Sequence, residues 1–298
     1  FSINSNVIPI EFNGIKMNIL DTPGYFDFIG AQEECLGVAD AAIIVVDAKS
    51  GIQVGTIRAW EMCEKYELPR IFYISGMDNA DIDYAKLIAD LKENFGKRIA
   101  PFHFPIMEKN EFAGYVNVIR EAGRLYKADG SYDVVDVPAD ISDSIAEARD
   151  MIMEAVAETS EELMDKYFGG EEFTLEEILG ALKNSVTEGD IIPVQIGAST
   201  RNYGAKMALE SIERYFPSPD KSPVKKYGKL MTTDETFICE CTTEKPLAAY
   251  VFKTIMDPFI GKYSLVKVFS GKLSNDDTVY NAETGESEKL SKLYIMRG

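Results

Sequence analysis

The chain has 298 residues, 46% of them hydrophobic, and a formal net charge of −18 from 31 basic and 49 acidic side chains. That length suggests two domains or one large one with a sizeable core, and no apolar run approaches the roughly 20 residues a membrane span needs. Four cysteines (Cys35, Cys63, Cys239, Cys241) in so long a chain argue against a disulfide framework and for reduced thiols in the cytosol.

Residues Phe1 to Phe12 alternate weakly and read as β structure. Asn13-Gly14 is a strong hairpin-turn signal, so this segment is expected to pair antiparallel with Lys16–Leu20. The apolar run Ile15–Leu20 leads into Asp21-Thr22-Pro23-Gly24-Tyr25-Phe26-Asp27-Phe28. Asp21 is thus placed at the carboxyl end of a strand, the edge at which open α/β sheets bind ligands. A carboxylate there can hold Mg²⁺ through water. Pro23 has no amide hydrogen, whereas Gly24 has one and admits close approach by an anion such as a terminal phosphate. The same four residues, D-T-P-G, also read as a plain strand-to-turn signal. Glu33 to Ala39 has helix-forming composition.

Ala41–Asp47 is a continuous apolar run ending in Asp, the pattern of a parallel strand buried on both faces. A helix is predicted over Gln53–Tyr66, a strand over Arg70–Ile74, and an amphipathic helix over Asp83–Phe95 closed by Gly96. This alternation predicts a parallel sheet with helices on both faces. From about Pro105 the rhythm changes. Short strands are expected over Phe112–Val118 and Arg124–Tyr132, around Gly114 and Gly130, followed by a helix over Ser142–Glu158 and another from Thr159-Ser160 to Gly169-Gly170. A third starts at the capping box Thr174-Leu175-Glu176-Glu177 and runs toward Val186. The buried-strand pattern returns at Ile191–Ile196, and Lys206–Tyr215 reads as the closing helix. Residues 105–190 therefore read as an insert within one α/β domain of residues 1–217. The sole histidine, His103, lies between Phe102 and Phe104 and reads as structural rather than as a base.

From Asp133 to Asp190, seventeen acidic residues face only Arg149, Lys166 and Lys183, a local charge of −14. Such a field repels nucleic acid and favours a basic protein partner, or simply solvates helix faces. Ser218-Pro219-Asp220-Lys221-Ser222-Pro223 reads as a linker. Beyond it, Ala248–Ile255, Gly261–Phe269 and Val279–Asn281 alternate around turns. Cys239 and Cys241 have the spacing of one face of a strand, and no further Cys or His cluster completes a metal site. The chain opens mid-pattern at Phe1 and stops inside its β segment, as expected of a piece cut from a longer protein.

The Asp21–Phe28 octet resembles the switch II segment of translational GTPases, where the usual text is D-T-P-G-H-x-D-F. End to end, the chain resembles bacterial elongation factor G from just after switch I, through its G domain and G′ insert, into domain II. Pro246-Leu247-Ala248-Ala249, Asp257-Pro258-Phe259-Ile260-Gly261-Lys262 and Val268-Phe269-Ser270-Gly271-Lys272-Leu273 carry the domain II likeness. Tyr25 stands where the family has its catalytic histidine, as expected of elongation factor G-like paralogs. The implied fold is an incomplete P-loop-type α/β G domain with an α+β insert, then a partial antiparallel β-barrel over residues 218–298.

The resemblance implies a GTP- and GDP-binding site with Mg²⁺, drawing on Asp21, Thr22, Pro23 and Gly24, with Asp21 toward the metal and Tyr25 toward the attacking water. A phenol can hydrogen-bond a water but, titrating near ~10, is a poor base at neutral pH; alternatively Tyr25 packs with Phe26 and Phe28. The base-reading N-K-x-D is Ser75-Gly76-Met77-Asp78 here, and the G-S-A loop is Gly197-Ala198-Ser199. Asp78 remains to accept from the guanine N1–H and exocyclic amine, and the Ser199 amide can reach the base oxygen. Alternatively, Gly197–Ser199 is only a strand-to-helix connection. No G-x-x-x-x-G-K-[ST] loop occurs in the chain, so weak nucleotide binding by these residues alone is expected. The implied setting is the cytoplasmic ribosome, with a monomer whose acidic insert meets the ribosomal stalk protein and whose β segment meets ribosomal RNA through Lys253, Lys262, Lys267 and Lys272. The competing expectation is a ribosome-binding or ribosome-protection paralog with a worn guanine site and little or no GTPase activity.

Overall fold

The computed structural model describes residues 2–127, 129–231, 233, 235–259 and 261–296. Expectations that fall on Phe1 and Ile260 lie outside the described residues. The chain divides into two compact units, Phe1–Asp40 with Ser218–Gly298, and Ala41–Pro217.

The first unit opens with β1 (Asn6–Phe12) and β2 (Ile15–Asp21), paired in register from Asn6↔Asp21 to Phe12↔Ile15. Asn13 and Gly14 take φ of 50° and 77°, and positive φ at both turn residues matches the right-handed twist of the flanking strands. Asp21 ends β2 as expected, but not at the edge of a parallel sheet: among the described residues β2 pairs with β1 alone. The tight turn lets the two strands zip along their whole length, a purely local pairing. A 3-10 turn over Phe26–Phe28 leads into α1 (Ile29–Leu36), which starts and ends earlier than the expected Glu33–Ala39.

The second unit carries β3 (Ala42–Asp47), α2 (Val54–Lys65), β4 (Arg70–Ser75), α3 (Tyr84–Phe95) and β5 (Ile99–Pro101). Next come β6 (His103–Glu108), β7 (Glu111–Asn117), β8 (Ala122–Tyr126) and β9 (Tyr132–Val135). Then follow α4 (Ser142–Ala157), α5 (Glu161–Phe168), α6 (Leu175–Glu188), β10 (Ile192–Ile196) and α7 (Ala205–Tyr215). The expected parallel sheet is present, in the order β3-β4-β10-β5. All five residues of β10 are buried. β3 departs from the expectation of burial on both faces: it is the edge strand, and Val45 is 61% exposed.

The expected insert emerges between β5 and β10, and its sheet begins at His103 rather than Pro105. It is antiparallel, in the order β6-β7-β8-β9. The segment expected as one strand, Arg124–Tyr132, is two strands joined by a turn in which Gly130 has φ 82° and the Lys127 N–H donates to Ser131 O at 2.8 Å. At Gly114 an added Cβ would lie 2.0 Å from Arg124 O, so only glycine permits this approach of β7 to β8. Ile152, Val156, Leu182 and Val186 of the insert helices share one apolar core with Ile71, Ala100 and Tyr215 of the parallel layer. His103 is buried within the unit, as expected of a structural residue, with Nε2 3.1 Å from Asn117 Nδ2. Burial, with Arg124 and Arg214 nearby, holds its imidazole down at about 3.

The first unit is completed by β11 (Tyr227–Lys229), β12 (Thr236–Ile238), β13 (Ala248–Asp257), β14 (Gly261–Ser270), β15 (Thr278–Asn281) and β16 (Glu286–Lys289). Among the described residues these form three antiparallel pairs, β11-β12, β13-β14 and β15-β16, rather than a closed barrel. Cys239 and Cys241 lie beyond the end of β12, not on one face of a strand. Two lysines expected to face RNA are engaged internally. Lys253 Nζ donates to the Ser5 carbonyl and hydroxyl oxygens, each at 2.8 Å, and Lys267 Nζ sits 2.8 Å from both Asp40 oxygens. A desolvated ammonium needs such partners.

Leu182→Ala, at the centre of the shared core, is expected to cost about 2–5 kcal/mol by urea unfolding. The folded His103 refuses a proton that the unfolded chain takes up at 6.5. Its contribution to stability is therefore complete above pH 6.5 and lost as pH falls toward about 3. His103→Gln should flatten that part of the stability–pH curve relative to the parent.

Candidate functional site

Two adjacent parallel strands deliver the main cluster. β4 and β10 run side by side with Ile74 opposite Ile196, so Ser75 and Gly197 follow at the same edge. Their loops are tied at the backbone. Gly197 N–H donates to Ile74 O at 2.8 Å, Met77 N–H to Gly197 O at 3.1 Å, and Ala48 N–H to Ser75 O at 2.8 Å. The buried Met77 side chain anchors the loop from below. Ser75 Oγ and Ser199 Oγ meet at 3.0 Å. The structure thus brings together Ser75, Gly76, Met77, Asp78, Gly197, Ala198 and Ser199.

Gly76 has φ 76°, and a Cβ there would lie 2.7 Å from Asn79 Nδ2. This positive-φ backbone favours glycine, and a side chain there would be strained and would displace the Asn79 amide. At Gly197 an added Cβ would fall 1.8 Å from Tyr73 Oη and 2.7 Å from Tyr203 O. Tyr73 is therefore packed directly under the loop, and burial pushes its phenol up to about 12. Ala198 and Tyr203 exchange two backbone bonds, at 2.9 and 3.0 Å, closing a 3-10 turn over Ser199–Arg201. Thr200 Oγ1 donates to Asp78 Oδ2, and Arg201 Nε lies 3.9 Å from the same oxygen. Thr200, Arg201, Tyr203 and Tyr73 were not singled out from the sequence. The alternation of β4, which puts Tyr73 on the face opposite Phe72, is the only signal that bears on any of them.

The remaining sequence-predicted residues belong to the first unit. Asp21 accepts from Ser2 Oγ at 3.2 Å. Thr22 is half-buried and Gly24 exposed, while buried Pro23 accepts at its carbonyl from Gln32 Nε2 at 2.6 Å, fixing the turn to α1. Tyr25 and Phe26 are 56% and 60% exposed. Among the described residues no three His, Cys, Asp or Glu side chains converge. One carboxylate, Asp21, nevertheless fits Mg²⁺ that is shared with phosphate oxygens and water, since this ion keeps several waters and needs no all-protein cage.

The family described as Elongation factor Tu GTP binding domain matches residues 1–218, and Elongation factor G domain 2 matches residues 246–298. The chain belongs to the translational GTPases. A crystal structure of a protein from Thermus thermophilus aligns with TM-score 0.83 at 32% identity, over 99% of this chain and 41% of that one. The chain thus spans less than half the length of that protein. The elongation factor G-like character of this translational GTPase rests on both family matches, and its α/β layer with following antiparallel strands is the architecture they imply.

Gly197→Ala is expected to lower stability by roughly 1–3 kcal/mol through overpacking against Tyr73 and Tyr203. Differential scanning calorimetry would show this as a depressed Tm.

Proposed function

We propose that this chain is part of an elongation factor G-like GTPase that binds GTP and GDP and acts on the ribosome in the translocation step of elongation. The observation that carries the reading is the placement of the Asp78 loop against the Gly197–Ser199 loop at the carboxyl ends of β4 and β10, inside a matched GTP-binding domain. Asp78 accepts hydrogen bonds from the guanine N1–H and exocyclic amine, and the Ser199 amide donates to the base oxygen. Such a site rejects bases that cannot donate in this pattern. By the family resemblance, the Gly24 amide would donate to the terminal phosphate, Asp21 would hold Mg²⁺ through water, and Tyr25 would orient the attacking water by hydrogen bonding rather than as a base. Bound GTP supplies the phosphoanhydride, and Mg²⁺ offsets its charge. Lacking a G-x-x-x-x-G-K-[ST] loop, residues 1–298 alone bind nucleotide weakly.

The acidic insert suits a basic ribosomal protein of the stalk. In the β segment, Lys262 and Lys272 remain for ribosomal RNA, since Lys253 and Lys267 are committed internally. No described helix is long and apolar enough to cross a membrane; a cytoplasmic monomer fits the reading. A second reading is favoured by one observation: Ser75 and Gly76 stand where the family's N-K-x-D pattern has its Asn and Lys. It is a ribosome-binding or ribosome-protection paralog with little or no GTPase activity.

Hydrolysis of GTP and ATP by the intact parent protein, with and without ribosomes, separates the two. Ribosome-stimulated turnover selective for GTP is expected. Ribosome binding with no turnover above background would leave the binding factor.

A further inference from the structure

The base loop is braced from outside its own strands. Asp78 takes both of its side-chain partners on Oδ2, from Thr200 Oγ1 and, at 3.9 Å, Arg201 Nε. An ionised carboxylate accepts at about four lone-pair sites, so this engagement fixes the group while leaving others to a ligand. Arg201 also reaches Glu111 Oε2 at 3.7 Å, at the start of β7 in the inserted sheet. A second tie comes from the neighbouring strand β8. The Tyr126 ring stacks on Tyr203 at 4.1 Å with the planes 9° apart. Tyr203 in turn holds Ala198 through its two backbone bonds.

We propose that Thr200 and Arg201 are positioning residues that set Asp78 for the base edge, and that Glu111 and Tyr126 brace them from the inserted sheet. This rests on the nucleotide reading above and adds to it the residues that set base selectivity. Thr200 carries the larger share. Its bond is a charge-assisted contact on a carboxylate only 16% exposed. The Arg201–Glu111 pair is 42% and 72% exposed and therefore weak and sensitive to salt. Position 198, where the family pattern places a serine, is Ala198 here, and a hydroxyl meets Asp78 from Thr200.

The test uses the full-length protein containing this chain, titrated calorimetrically with GDP and with inosine diphosphate, whose base lacks the exocyclic amine. Amide hydrogen exchange over residues 76–79 and 198–203 is followed in parallel without nucleotide. Thr200→Val is expected to reduce the preference for GDP by roughly tenfold, a charged hydrogen bond's share, and to speed exchange in both segments. Thr200→Ser should behave as the parent. Arg201→Ala and Glu111→Gln should reduce the preference by at most about fivefold, with the effect fading in high salt. Tyr126→Leu should speed exchange over 198–203. Unchanged selectivity and unchanged exchange in Thr200→Val and Arg201→Ala would overturn the proposal. Should the parent bind neither nucleotide, the nucleotide reading fails and exchange alone decides: acceleration in Thr200→Val upholds the positioning role, and parent-like exchange removes it.

Discussion

The parallel pairing of β10 between β4 and β5 is the constraint on which the larger unit depends. Ile192 lies opposite Ile99 and Val194 opposite Phe72, so one strand closes both ends of the insert and aligns the candidate base loops. Because β10 pairs in fixed register with β4, a one-residue slip would misalign Gly197 with Ser75. Insert helices and parallel layer draw on the same core. The insert is thus not a free appendage, and its sheet can act as a support for the loops beside it.

That support gives the departures from the family pattern a physical meaning. Gly76 is dictated by a positive-φ turn that also crowds Asn79. Around it the polar groups have partners: Ser75 meets Ser199, and Asp78 meets Thr200. A site that had simply decayed would be expected to hold its polar groups less consistently, because unpaired ones are costly once partly desolvated.

Much of the fold is legible in the sequence because its elements carry their own punctuation. Asp83, Ser160 and Thr174 each accept a backbone N–H at the start of α3, α5 and α6, while Gly96 and Gly189 take positive φ at the ends of α3 and α6. β5 escapes such reading because three residues that include Pro101 have no period to detect. The sheet to which β2 belongs escapes it too, since one alternation serves a hairpin and a mixed sheet equally well. Of the candidate site, the Ser75–Asp78 and Gly197–Ser199 loops are legible as motifs. Thr200 and Arg201 are not: their meaning arises only when β4 and β10 bring Asp78 to residues more than a hundred positions away.

The lysine contacts of the smaller unit have a consequence for how the chain is made. Lys253 and Lys267 bind Ser5 and Asp40 across 248 and 227 positions, so these contacts wait for the last eighty or so residues of the chain. During synthesis at about 5–20 residues per second, the β1–β2 hairpin and α1 wait roughly 11–50 s for those partners. The larger unit is complete in sequence before they arrive. The order of assembly is therefore inside first and ends last, and throughout the wait Cys35 of α1 and Val38 just after it, both buried in the finished fold, lack that cover. This is the interval in which a nascent chain is most exposed to misassembly, and the one in which a chaperone would find its binding surface.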